Sequence, residues 1–187
     1  GFFLFNSPLA KIRVARQVKR FYRKTIPDET FLLHLIQIRF PLIVSINPDK
    51  YISEAFDRYG INHNFKYFQH SPHGNETEEI EKPKMDSPLV YNLFGMEDRD
   101  ESLVLDYHDV SKMLKSIIGT PGLPEKILSY CQQATTYIFL GFQFDKWYLQ
   151  LLLSLLSDKE RCEKLISVNK RLNDHDTHQF IMHQFKV

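Results

Sequence analysis

Three short segments carry the residue types and spacing that could hold a ligand: Asn47-Pro48-Asp49, Phe94-Gly95 and Gly141-Phe142-Gln143. Each follows a run of β-branched, aromatic or leucine residues, and open parallel α/β sheets bind ligands outside the carboxyl ends of their strands. Asn47 and Asp49 place an amide and a carboxylate together at such an end. The same pair around Pro48 can equally form a turn and cap the helix that starts near Lys50. Phe94 reads most simply as a core side chain, Asp145 as the cap of the helix after Gly141, and Trp147 as a core anchor.

Other chemistries find less support. The histidine pairs His70/His73 and His175/His178 have no cysteine or carboxylate at the spacing a tetrahedral metal site uses, so no metal is expected. Cys131 and Cys162 have no neighbouring histidine, which leaves nucleophilic catalysis without a base, and two cysteines are too few for a disulfide scaffold. Neither a G-x-S-x-G turn nor a P-loop occurs. Lys11, Arg13, Arg16, Lys19, Arg20, Arg23 and Lys24 make one strongly basic helix, a pattern that can contact phosphate backbones. The net charge of +1 gives no global pull toward nucleic acid, and the acidic run at Glu76, Glu78, Glu79 and Glu81 is expected to balance that helix. Nucleic acid is therefore not the expected partner. No apolar run reaches the roughly 18 residues of a membrane span, and the reduced thiols point to the cytoplasm.

The elements that must position these segments follow from periodicity. Helical spacing is expected over residues 7–24, 29–38, 50–59, 107–118, 125–133, 144–156 and 158–168. Short apolar runs at residues 42–46, 89–93 and 136–140 read as strands buried on both faces and neighbouring one another in one sheet. A brief extended piece is expected at 103–105, a loop at 69–87, and an edge strand in the tail from Gln179 to Val187. Strands alternating with helices predict an open, mainly parallel α/β sheet flanked by helices, as one domain over residues 1–187. The chain begins with Gly1 rather than Met and is expected to be part of a longer protein.

Taken in order, the segments resemble the bacterial SIR2-like domain family, distant relatives of the sirtuins. Phe40-Pro41-Leu42-Ile43-Val44-Ser45-Ile46-Asn47-Pro48-Asp49 is similar to the family's strand ending in T-T-N-x-D, followed by a helix like Tyr51-Ile52-Ser53-Glu54-Ala55-Phe56. Tyr91-Asn92-Leu93-Phe94-Gly95 resembles its K-L-H-G segment. Ile138-Phe139-Leu140-Gly141-Phe142-Gln143-Phe144-Asp145-Lys146-Trp147 resembles its L-G-[FY]-x-[LF]-x-D-W turn.

The resemblance implies a Rossmann-type sheet and a site for NAD or a related nucleotide, with Asn47 in the catalytic position and Asn47, Asp49, Gly95, Gly141, Phe142 and Gln143 as binding residues. Active members of that family break the nicotinamide–ribose bond of NAD. This chemistry needs a polar group to place ribose or water and a base to take a hydroxyl proton, a role that suits imidazole. The family's histidine falls on Phe94, whose ring accepts no proton. The family's glycine-rich phosphate turn has no counterpart among the 7 glycines: no G-x-G or G-A-G occurs, and Asn6-Ser7-Pro8 lacks the amide that proline removes. That turn is either lost or lies ahead of Gly1. The expectation is a degenerate domain that does not hydrolyse NAD and serves as a ligand- or protein-interaction module in a bacterial defence-type system, with a protein partner or a second copy of itself. The alternative is an active NAD glycohydrolase in which another group, His108 first, takes the proton.

Overall fold

A computed structural model describes residues 2–69, 80–119, 122–156, 163–167, 179 and 182–183. The chain divides into two compact units, Gly1–Leu123 and Pro124–Val187.

The first unit is a mixed α/β fold around a parallel three-stranded sheet. It opens with α1 (Pro8–Lys24), where the Ser7 hydroxyl accepts the Ala10 N–H at 3.3 Å, Pro8 sits in the first turn and Arg23 and Lys24 face the carbonyl end. Helix α2 (Glu29–Gln37) is capped by Asp28, whose carboxylate accepts the Phe31 N–H at 3.0 Å. Strand β1 (Leu42–Ser45), α3 (Tyr51–Arg58), β2 (Asn64–Tyr67), β3 (Leu89–Asn92) and α4 (Tyr107–Ile118) follow.

The strand order is β1-β3-β2, with Leu42 opposite Leu89 and Ser45 opposite Asn92 on one side, and Asn64 opposite Leu89 and Tyr67 opposite Asn92 on the other. The chain thus leaves room between its first two strands and later fills it with β3. All four residues of β3 are buried in consequence, while β1 and β2 are half-buried. On one side Leu32, Ile36, Ala55, Phe56 and Val90 form a core joined by Ile43, Ile52 and Phe65. Elsewhere Ala15, Leu103 and Leu105 pack with Phe5 and Val18.

The second unit holds α5 (Glu125–Gln133), β4 (Thr136–Leu140), α6 (Trp147–Leu156) and β5 (Glu163–Ser167). Strands β4 and β5 pair in parallel, Thr136 opposite Glu163 and Leu140 opposite Ser167.

Several expectations need correction. Residues 136–140 do not join the sheet of the other two strands: that sheet has the order β1-β3-β2, and β4 pairs with β5 in a two-stranded sheet. Nor is β4 buried on both faces: Phe139 is buried, while Ile138 and Leu140 are exposed. Residues 163–167, read as helical, are a strand, and β2 went unread because four residues with two polar side chains give too short a signal. Trp147 is exposed rather than a core anchor, since the buried stripe of α6 runs through Leu149, Leu152, Leu153 and Leu156. The acidic run at Glu76–Glu79 and most of the 69–87 loop and of the 179–187 tail lie outside the described residues.

Candidate functional site

The parallel pairing of β1 with β3 brings two loops to one edge of the sheet. The Leu93 N–H donates to the Ser45 carbonyl at 2.7 Å, which closes the ladder at its carboxyl end. Beyond it, the loop with Asn47 and Asp49 and the loop with Phe94 to Asp98 lie together. The Glu97 N–H donates to the Pro48 carbonyl at 2.8 Å, and the Asn92 side-chain amide donates to the Asp49 carbonyl at 2.7 Å.

In the first loop, the Asn47 N–H donates to the Ser45 hydroxyl oxygen at 3.0 Å, leaving the Asn47 side chain exposed. The Asp49 carboxylate accepts the Tyr51 N–H at 3.0 Å and so starts α3. Burial raises the Asp49 pKa, opposed by that backbone hydrogen bond. The turn ahead of the helix is thus held by Asp49, the N-cap residue itself is Lys50 with no side-chain cap, and the Asp49 carboxylate still has a second oxygen.

In the second loop, Phe94 is half-buried, its ring 6.5 Å from that of Phe2. Gly95 has φ +87°, and a Cβ there would lie 2.1 Å from the Ser102 carbonyl oxygen. The chain doubles back tightly here: the Ser102 hydroxyl accepts the Met96 N–H at 2.9 Å and donates to the Arg99 carbonyl at 2.7 Å. Glycine at 95 is thus required by the close approach of this turn.

The turn delivers two carboxylates of opposite character. Asp98 receives Lys19 at 3.0 Å, Arg23 at 3.0 Å and Lys50 at 3.2 Å, and the Lys19 ammonium above all holds its pKa down to about 2. Glu97 is only 7% exposed, and its Oε2 has no hydrogen-bond partner among the described residues. Burial, and then the negative charges of Asp49 and Asp98, push its pKa up to about 7. Two tyrosines complete the surroundings. The Tyr51 hydroxyl donates to the Tyr22 carbonyl at 2.5 Å, the two rings meet edge-on at 6.0 Å, and burial pushes the Tyr22 phenol up to about 12.

Asn47, Asp49, Phe94 and Gly95 thus occupy one edge of the first unit. Gly141, Phe142 and Gln143 belong to the second. There Gly141 turns the chain with φ +64° at the end of β4, and Phe142 packs against Phe139 at 5.3 Å and Phe144 at 4.7 Å. Gln143 is exposed and its carbonyl accepts the Lys146 N–H at 3.1 Å. Asp145 pairs with the Lys146 ammonium at 2.5 Å.

His108 is exposed in the first turn of α4. The cations of α1 are partly spent within the unit: Lys11 on Asp106 and Asp109, Lys19 and Arg23 on Asp98. A shallow depression of about 330 Å³ lies along this helix, lined by Arg16, Lys19, Arg20, Arg23 and Lys24. Among the described residues no group of three or more His, Cys, Asp or Glu could hold a metal ion, and no helix is long and apolar enough to cross a membrane.

Sequence reasoning missed Glu97, Asn92, Tyr22 and Tyr51. The available signal was the acid run Glu97-Asp98 two residues past Gly95, at a strand end already under suspicion.

Compared with known families, the chain matches the family model described as SIR2-like domain over residues 41–183. None of the curated proteins compared with the chain matches it.

Proposed function

Because this chain belongs to the SIR2-like domain family, we propose that it binds an NAD-type dinucleotide at the carboxyl edge of its three-stranded sheet and does not cleave it. One observation carries this reading: the parallel β1–β3 pair delivers the Asn47–Asp49 and Phe94–Glu97 loops to a single edge, where such sheets bind ligands. The exposed Asn47 amide at that edge is placed to bind a hydroxyl or a water. Bound NAD would bring a nicotinamide–ribose bond whose departure leaves an oxocarbenium-like sugar. Where the resemblance places the family's histidine, Phe94 presents a ring that takes no proton, and general-base assistance is worth about 10²–10⁴-fold. Incubation with NAD should therefore release nicotinamide only at the background rate, with wild type and Asn47→Ala alike. Release well above background that disappears in Asn47→Ala would overturn this reading.

A second reading, hydrolysis of NAD, is favoured by one feature: the Glu97 carboxyl, whose pKa burial pushes up to about 7, lies three residues beyond Phe94. Nicotinamide release that persists in His108→Ala and is lost in Glu97→Gln would establish it.

A further inference from the structure

Helix α1 concentrates positive charge that the net value of +1 conceals. Its 17 residues include no Asp or Glu. Lys11 is spent on Asp106 and Asp109, and Lys19 and Arg23 share Asp98 with Lys50. Arg13, Arg16, Arg20 and Lys24 are exposed and make no ion pair among the described residues. Steps of three, four and four residues set these cations in one row along the helix, about 16 Å long at the usual rise per residue. The opposite side of α1 packs inward, with Ala15 buried against Leu103 and Leu105 and Val18 beside them. Helix α1 precedes residues 41–183, which match the family model, and the dinucleotide reading gives its outward row no role.

Four like charges in a row repel one another, and a polyanion laid along them removes that repulsion and releases its own counterions. Three of the four are arginines, whose planar fork pairs bidentately with phosphate or carboxylate. The neighbouring aromatic decides between these. Phe21 is 61% exposed beside Arg20 and only three residues before Lys24, so its ring offers a stacking surface at the side of the row. An unpaired base uses such a surface, and an acidic peptide brings nothing to fill it. A bilayer fits poorly, because an interfacial helix buries its apolar side in lipid and that of α1 is already packed on Leu103 and Leu105.

We propose that the outward face of α1 binds single-stranded nucleic acid, with Arg13, Arg16, Arg20 and Lys24 on its phosphates and Phe21 against a base. This is independent of the dinucleotide reading, since no residue of the Asn47 or Phe94 loops takes part.

The test measures the fluorescence anisotropy of a labelled oligothymidylate of about 20 nucleotides as the full chain is added, at about 50 mM and about 200 mM salt. Four phosphate contacts predict that wild type binds about fiftyfold more weakly at the higher salt. Arg16→Gln with Arg20→Gln leaves two contacts, so that loss should shrink to about sevenfold, and binding at the lower salt should weaken about tenfold or more. Phe21→Ala should weaken binding about fivefold or more. Lys112→Gln with Lys115→Gln removes the same charge from the exposed side of α4 and should leave affinity within about twofold of wild type. All these changes fall on exposed side chains within helices, so the melting temperatures of the variants should match that of wild type. Absence of binding at the lower salt, or equal binding by wild type and the double arginine variant, would overturn the proposal. So would equal or tighter binding of a duplex of the same length or of polyglutamate, or binding to phosphatidylserine vesicles but not to the oligonucleotide.

Discussion

The Glu97 N–H and the Pro48 carbonyl meet at 2.8 Å, a single backbone hydrogen bond that ties the loop after β3 to the loop after β1. Its partner is the Asn92 side chain, 1% exposed, which holds the Asp49 carbonyl at 2.7 Å from the last residue of the central strand. The two bonds turn a shared sheet edge into a fixed floor, on which the exposed Asn47 and the buried Glu97 are held in place by main chain rather than by long side chains.

Gly95 is the tightest point of that floor. Gly95→Ala should destabilise the protein by on the order of 1–3 kcal/mol, because φ is +87° and the new methyl meets the Ser102 carbonyl oxygen at 2.1 Å. Gly60→Ala is the control: φ is +65° but nothing lies within 4 Å, so its cost should be about 1 kcal/mol. Urea denaturation of both variants measures the difference.

Glu97 also makes stability depend on pH. Its folded pKa is raised from 4.5 to about 7, so the folded state binds the extra proton. Its favourable contribution is complete below about 4.5 and is lost as pH rises through about 7. Glu97→Gln should flatten the fall in melting temperature across that window and be the more stable protein at about pH 8. A pH series of thermal melts on the two proteins checks this.

Asp98 behaves in the opposite sense. Its pKa is lowered from 3.8 to about 2, so its contribution is present above about 3.8 and is lost as pH falls through about 2. Asp98→Asn leaves Lys19, Arg23 and Lys50 without their shared carboxylate and should cost about 1 kcal/mol at neutral pH, since the pairs are partly solvated. Urea denaturation at low and high salt should show the gap between the proteins narrowing as salt rises.

The fold was legible where local signals agree. The apolar runs at 42–46 and 89–93 sit beside proline and asparagine boundaries, and both became strands of one parallel sheet. Strand order was not legible, because it depends on β2, whose Asn64-Phe65-Lys66-Tyr67 alternates too briefly to stand out and is held by pairing with β3 rather than by its own pattern. Residues 163–167 likewise become a strand through pairing with β4. That the Asn47 and Phe94 segments share one sheet edge was legible from the rule for parallel sheets, but the burial of Glu97 was not: an acidic residue in an acidic run looks like solvated surface.

The central claim, that this SIR2-like domain binds an NAD-type dinucleotide, is tested most directly by the melting temperature of the full chain at about pH 8 as NAD is added. Binding to the folded state alone stabilises it by about 2.7 kcal/mol at a hundredfold excess over Kd, so the melting temperature should climb steadily with NAD concentration. A melting temperature that stays constant up to millimolar NAD would contradict the account.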